Sequence, residues 1–158
     1  MMRIGVLTIS DRASSGAMAD RGGPAIVEAL ASLEQEIAAQ LIVPDDRERI
    51  AGVLALWADV ERLDVVFTTG GTGLGSRDVT PEATLQIADR QVEGIAEAIR
   101  SAGLSRLPQA MLSRGVAVQR KNTLIVNLPG SPSGARDGVE VLLPVLEHAV
   151  LMMGDARH

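Results

Sequence analysis

The 158-residue chain contains no cysteine and no tyrosine, and its only large aromatics are Phe67 and Trp57. Without cysteine there are no disulfides, zinc–thiolate sites, iron–sulfur clusters or thiol nucleophiles, which fits a reducing compartment. With so few aromatics, recognition by base stacking or an aromatic cage has no side chains to work with, and the core must be aliphatic. Histidine is confined to His148, inside the last helical pattern, and His158 at the terminus. A Ser-His-Asp triad and an H-E-x-x-H zinc site are thereby excluded, and histidine general-base catalysis has no candidate. No stretch approaches the roughly 18 apolar residues of a membrane span. The apolar run ending at Ile9 is too short for a signal-peptide core and meets Asp11 at once. Acidic residues outnumber basic ones 20 to 15, a net charge of −5. That argues against a general nucleic-acid binder, so an anionic ligand would need local basic groups or a metal. The expectation is a cytoplasmic protein that binds neither nucleic acid nor membrane.

What is present is ordinary for one globular domain over residues 1–158, with 46% apolar and 22% charged residues. Arg3 to Ile9 reads as a buried first strand, with Gly5 small for close packing, and Arg12 to Gly23 as a loop. Pro24 opens a helix carrying Ile26, Val27, Leu30 and Leu33. Gln40 to Val43 is a second strand. A helix starting at Pro44 follows, with Asp45 and Glu48 in capping-box register and Ile50, Val53, Leu54, Trp57 and Val60 inward. Asp64 to Thr68 is a third strand. Thr80 caps the next helix with Pro81 in its first turn, and Gly94 to Leu104 is another. Gly115 to Val118 and Thr123 to Asn127 form a hairpin. The last helix has a broad apolar face, and Pro144 inside it should kink it. Strands alternating with helices predict a three-layer αβα sandwich, mainly parallel, with an antiparallel edge hairpin. Polar loops after Ile9, Thr69 and Asn127 then fall at carboxyl ends of strands, where such sheets bind ligands.

The segment Gly70-Gly71-Thr72-Gly73-Leu74-Gly75 leaves backbone N–H groups open to an oxyanion, with Arg77 and a helix start nearby. It is neither a Walker loop, since Ser76 stands where lysine is required, nor the dinucleotide fingerprint. A phosphate cradle and a packing turn are both compatible with it. A carboxylate at Asp78 would repel phosphate unless Mg²⁺ lay between them, and it could equally pair with Arg77 or cap the helix. Asp20 and Asp45 each suit a helix cap as well as a site. Ser10, Asp11, Asn127, Gly130, Ser131 and Ser133 stand in the other two loops.

Taken together, Ile9-Ser10-Asp11-Arg12-Ala13-Ser14-Ser15-Gly16, Asp20-Arg21-Gly22-Gly23-Pro24, Thr69-Gly70-Gly71-Thr72-Gly73, Arg77-Asp78-Val79-Thr80-Pro81-Glu82-Ala83-Thr84 and Asn127-Leu128-Pro129-Gly130-Ser131-Pro132 resemble the molybdopterin adenylyltransferase family of molybdenum-cofactor biosynthesis. The resemblance covers nearly the whole chain. It implies the three-layer fold, a homotrimer, and Mg²⁺-dependent transfer of AMP from ATP to the terminal phosphate of molybdopterin, the product passing to a molybdenum insertase. It further implies that Asp45 and Asp78 act in catalysis and hold the metal. Gly70, Gly71, Thr72, Gly73, Gly75, Arg77 and Thr80 would cradle phosphates, Ser10, Asp11 and Asp20 would line the mouth, and Gly130 and Ser131 would contact molybdopterin. The alternative is a non-catalytic molybdopterin-binding carrier module; insertases, nucleotide pyrophosphatase relatives and a trimeric scaffold are further rivals.

Overall fold

The computed structural model describes residues 1–154, so His158 lies outside the described residues. In chain order the elements are β1 (Met2–Ile9), α1 (Asp11–Ser14), α2 (Gly22–Ala29), β2 (Gln35–Val43), α3 (Arg47–Asp59), β3 (Val65–Thr69), α4 (Thr80–Gln86), β4 (Arg90–Gln91), α5 (Glu93–Leu104), a 3-10 turn (Pro108–Leu112), β5 (Ala117–Arg120), β6 (Thr123–Leu128) and α6 (Pro132–Gly154). One six-stranded sheet runs in the order β2-β1-β3-β6-β5-β4. The first four strands in that order are parallel. β5 turns back against β6 and β4 pairs antiparallel with β5, so the antiparallel edge is a strand wider than the expected hairpin.

Strand alternation sorts the aliphatics to two faces. Ile4, Val6, Val65, Phe67, Leu124 and Val126 pack with Ile26 and Leu30 of the α2 segment and with Val139, Leu142 and Leu146 of α6. Leu7, Ile9, Val66 and Ile125 pack on the other face with Ile50, Leu54 and Trp57 of α3 and Ala83 of α4. Burial on both faces explains why the central strands read as nearly continuous apolar runs. Gly5 belongs to this packing, since a Cβ there would lie 2.8 Å from both Leu63 and Trp57.

Several expectations are corrected. The loop after β1 begins with the short helix α1, because the Ser10 hydroxyl accepts the Ala13 amide at 3.1 Å. Helix α2 stops at Ala29, short of Leu33, and β2 starts at Gln35 rather than Gln40. The cap of α3 is Asp46, whose carboxylate accepts the Arg49 amide at 2.9 Å, and not Asp45. Val60, expected inward, is exposed because α3 has ended at Asp59. Thr80 is the first residue of α4 and makes no cap bond, since its hydroxyl is used elsewhere. Helix α6 begins at Pro132, inside the expected loop, and runs through Pro144 to Gly154.

The chain leaves β1 toward β2 on one side and returns to β3 on the other, so the order reverses between β1 and β3. Open parallel sheets bind ligands at such a point, beyond the carboxyl ends of the strands. Ser10 and Gly70 are the first residues beyond those two ends.

Candidate functional site

Gly70 and Gly71 turn the chain out of β3 with φ of 103° and 70°, a region where a side chain is strained. A Cβ on Gly70 would overlap the Ile9 carbonyl at the end of β1, and one on Gly71 would meet the Thr80 hydroxyl. The loop thus lies flat across the strand ends. Its carbonyls are tied down in sequence. Gly70 O accepts the Thr80 hydroxyl at 2.9 Å and Gly71 O the Thr80 amide at 3.1 Å. Thr72 O accepts the Arg114 amide and Gly73 O the Arg114 Nε, each at 2.8 Å. A trans peptide points its N–H opposite its C=O, so the amides of Gly71, Thr72, Gly73 and Leu74 face away from these anchors. None of the four donates to a protein acceptor among the described residues. Four unpaired N–H groups in a row can be satisfied by water or by an oxyanion.

The next amide, Gly75, donates to Asp78 Oδ2 at 2.9 Å, while the Asp78 amide donates back to Gly75 O at 3.0 Å. A Cβ on Gly73 or Gly75 would stand 2.9 Å from that carboxylate oxygen, so both glycines make room for Asp78. Asp78 is not the helix cap and does not pair with Arg77. Arg77 instead makes a two-pronged contact with Asp11, both bonds 3.0 Å. Those bonds, then one from the Asp45 amide, hold the Asp11 carboxyl below its ordinary range.

Asp11 and Asp45 exchange bonds, the Asp45 amide donating to Asp11 Oδ1 (3.0 Å) and the Asp11 amide to Asp45 Oδ2 (2.9 Å). Asp45 Oδ1 takes no protein donor among the described residues and would be 3.2 Å from a Cβ on Gly71. Burial, followed by the charges of Asp11 and Asp78, pushes the Asp45 carboxyl above its ordinary value. A hard cation fits this chemistry: the donors are all oxygen, one oxygen is unclaimed, and the acids repel one another. No three His, Cys, Asp or Glu residues converge as a cage among the described residues. An ion here would be held by two carboxylates at most, the usual arrangement when phosphates and water complete the magnesium shell.

Two hollows flank the contact between Gly70 and Gly130, where a Cβ on Gly130 would lie 3.4 Å from Gly70 Cα. One, about 580 Å³, includes Gly71, Thr72, Gly73, Asp78, Gly130 and Ser131 in its wall. The other, about 570 Å³, is bounded by Ser10, Asp20, Gly70 and Gly130. Both suit a small ligand in size. A larger cavity of about 950 Å³ lies at the opposite end of the strands, by Asp64 and Thr123, away from every one of these groups.

The sequence-selected residues therefore divide. Gly71, Thr72, Gly73 and Asp78 share the glycine loop, and Asp45 stands against Gly71. Thr80 is fully buried with its hydroxyl committed, so it positions the loop and does not touch a ligand. Asp20 accepts the Thr8 hydroxyl (2.9 Å) and the Gly23 amide (3.1 Å), serving the start of α2 while facing the second hollow. Ser131 accepts the Gly134 amide at 3.1 Å in the first turn of α6. Asn127 is buried, and its side-chain amide bonds Thr68, Thr84 and the Val116 N–H, so it is not available to a ligand. Sequence reasoning missed Arg114: it is remote in the chain and lies in no motif.

The chain is similar to proteins of known kind. A family model described as a probable molybdopterin binding domain matches residues 5–148. The molybdopterin adenylyltransferase of Escherichia coli K12 is 46% identical over 142 residues, covering 88% of this chain and 72% of that protein. Its namesake in Helicobacter pylori J99 is 40% identical over 157 residues, covering 98% and 89%. The crystal structure of the molybdopterin biosynthesis enzyme MoaB from Thermus thermophilus superposes with a TM-score of 0.93 at 52% identity, covering 98% of each chain.

Proposed function

This chain belongs to the family of probable molybdopterin binding domains, and from that premise we propose that it is a molybdopterin adenylyltransferase, moving AMP from ATP to the terminal phosphate of molybdopterin. An oxygen of that phosphate forms a bond to the α-phosphorus of ATP while the bond to the bridging oxygen breaks, and the electron pair leaves with pyrophosphate. The nucleophile is already an anion at neutral pH, so no histidine base is required. The barrier is charge crowding, relieved by positioning and by fixed dipoles.

The observation that carries this reading is the row of four unpaired amides, Gly71 to Leu74, beside the unclaimed oxygen of Asp45. The amides would hold the phosphates of ATP. Arg77, two-thirds exposed, can leave Asp11 for a phosphate oxygen that carries more charge. Asp45 and Asp78 would hold a magnesium ion, which when bound offsets the negative charge of the reacting phosphates. Gly130 and Ser131, with Ser10, Asp11 and Asp20 across the Gly70 contact, would line the space for the second substrate. We take residues 1–158 as one catalytic domain in a cytoplasmic homotrimer that hands its product to a molybdenum insertase. These last points rest on the family. No helix among the described residues is long and apolar enough to cross a membrane.

The test is to incubate purified protein with molybdopterin and ATP and to measure pyrophosphate, with magnesium and again in excess chelator. Magnesium-dependent release is expected. Molybdopterin binding with no pyrophosphate would mark a carrier module instead, and full turnover in chelator would remove the metal.

A further inference from the structure

We propose that Arg114 is a positioning residue for this reaction, holding the glycine loop in the one arrangement that turns its amides toward phosphate. The proposal rests on the reading that the loop binds a polyphosphate, and adds to it the group that makes the loop competent.

The geometry is specific. Arg114 spends its backbone amide on Thr72 O, its Nε on Gly73 O and its Nη2 on Asp78 O, all at 2.8 Å. Its Nη1 pairs with Glu82 in the first turn of α4. One residue thus grips the loop from Thr72 to Asp78 and fastens it to the helix that follows. Two of the four unpaired amides, Gly73 and Leu74, belong to the same peptide planes as the carbonyls of Thr72 and Gly73 that Arg114 holds. The other two, Gly71 and Thr72, share planes with the carbonyls tied to Thr80.

Freed of the Arg114 side chain, the peptide between Gly73 and Leu74 can rotate cheaply, because glycine lacks the steric bar to flipping. A flip would present a carbonyl oxygen where the ligand needs a donor. Ser113 lines the hollow beside the loop and Arg114 does not, so Arg114 acts from behind, through the backbone. The contact with the main-chain carbonyl of Asp78 extends the grip to the backbone that carries the carboxylate proposed to hold the metal. Two carbonyls and a carboxylate in a fixed fan require a planar guanidinium; a lysine ammonium can keep the Glu82 pair but cannot reach both carbonyls as well.

The test compares wild type with Arg114→Lys and Arg114→Ala in the whole protein. With magnesium present throughout, calorimetry reads the affinity for inorganic pyrophosphate, and amide resonances of Gly71 to Leu74 are followed through the titration. Melting temperature is measured separately. We expect Arg114→Lys to weaken pyrophosphate binding at least tenfold at a temperature where it is fully folded, and the Leu74 amide to lose its response. Added guanidinium should restore part of the affinity of Arg114→Ala. A lowered melting temperature with unchanged pyrophosphate affinity in both variants makes Arg114 merely structural and overturns the proposal. If wild type itself binds no pyrophosphate, the polyphosphate reading falls and the proposal with it, a result distinct from variants that match a binding wild type.

Discussion

Replacing Asn127 by alanine tests whether the floor of the site is held by hydrogen bonds as well as by aliphatic packing. Asn127 lies on β6 and is 4% exposed. Its Nδ2 donates to Thr68 Oγ1 on β3 and to Thr84 Oγ1 on α4, both at 3.0 Å, and its Oδ1 accepts the Val116 amide at 3.1 Å. In the alanine variant the Val116 N–H is left without that acceptor, at about 1–3 kcal/mol, and two neutral bonds of roughly 0.5–1.5 kcal/mol each are lost. Partial relaxation of the hydroxyls offsets some of this, so the expected loss is about 2–4 kcal/mol, or roughly 4–16 °C in melting temperature for a domain of this size. Denaturant unfolding at constant m-value is the assay. The companion Asn127→Asp keeps the acceptor for Val116 but buries a carboxylate. Burial raises its folded pKa above the unfolded value, so the variant's stability relative to wild type is greatest below about pH 4 and is lost as pH rises through the folded pKa. An alanine variant less than about 1 kcal/mol below wild type, or an aspartate variant indifferent to pH between 4 and 8, would refute the argument.

Asp78→Asn keeps an oxygen for the Gly75 amide, so fold and assembly should survive while adenylyl transfer falls by about 10²–10³, the usual cost of one preorganised electrostatic contact; unchanged turnover takes Asp78 out of the mechanism. Asp45→Asn has two opposite effects. The raised pKa of Asp45 means that the folded state binds its proton more tightly, so this group's stabilising contribution is present at low pH and lost as pH rises through the folded value. At pH 7 the amide removes the penalty: the ligand-free variant should melt higher than wild type yet turn over far more slowly. A lower melting point would show that the charge of Asp45 stabilises the fold.

The central strands were legible because they are buried on both faces. Val65 to Thr69 and Thr123 to Leu128 leave no exposed position to break the apolar run. Edge elements were not: β2 is half-buried or exposed along most of its length, so its first half, Gln35 to Ala39, carries no clear alternation, and β4 is two exposed residues. The glycine loop announced itself by composition, which identifies a segment free of side chains but not which way its peptides face. That orientation depends on Arg114, 41 residues from the Gly73 carbonyl it holds. Adjacent aspartates also misled. The capping-box spacing to Glu48 points to Asp45 as the cap of α3, whereas Asp46 takes the Arg49 amide and Asp45 is drawn to Asp11, 34 residues away.

The same contacts explain how a chain of net charge −5 can prepare a place for a polyanion. The cations around the glycine loop are already engaged: Arg77 by Asp11, Arg114 by Glu82 and the Gly73 and Asp78 carbonyls, Arg100 by the Ser113 and Gly115 carbonyls, Arg106 by Asp137. At the loop itself the uncommitted positive charge is the partial charge on four amides, aimed by carbonyls fixed behind them. Such dipoles attract phosphate at short range and ask little reorganisation when it arrives. They cannot by themselves neutralise several phosphate charges meeting at one point, and the acids Asp45 and Asp78 beside them make that worse unless a cation intervenes. An arrangement that repels its ligand until a divalent ion is present would favour the metal–nucleotide complex over free nucleotide, so the position of the carboxylates predicts a metal-dependent reaction.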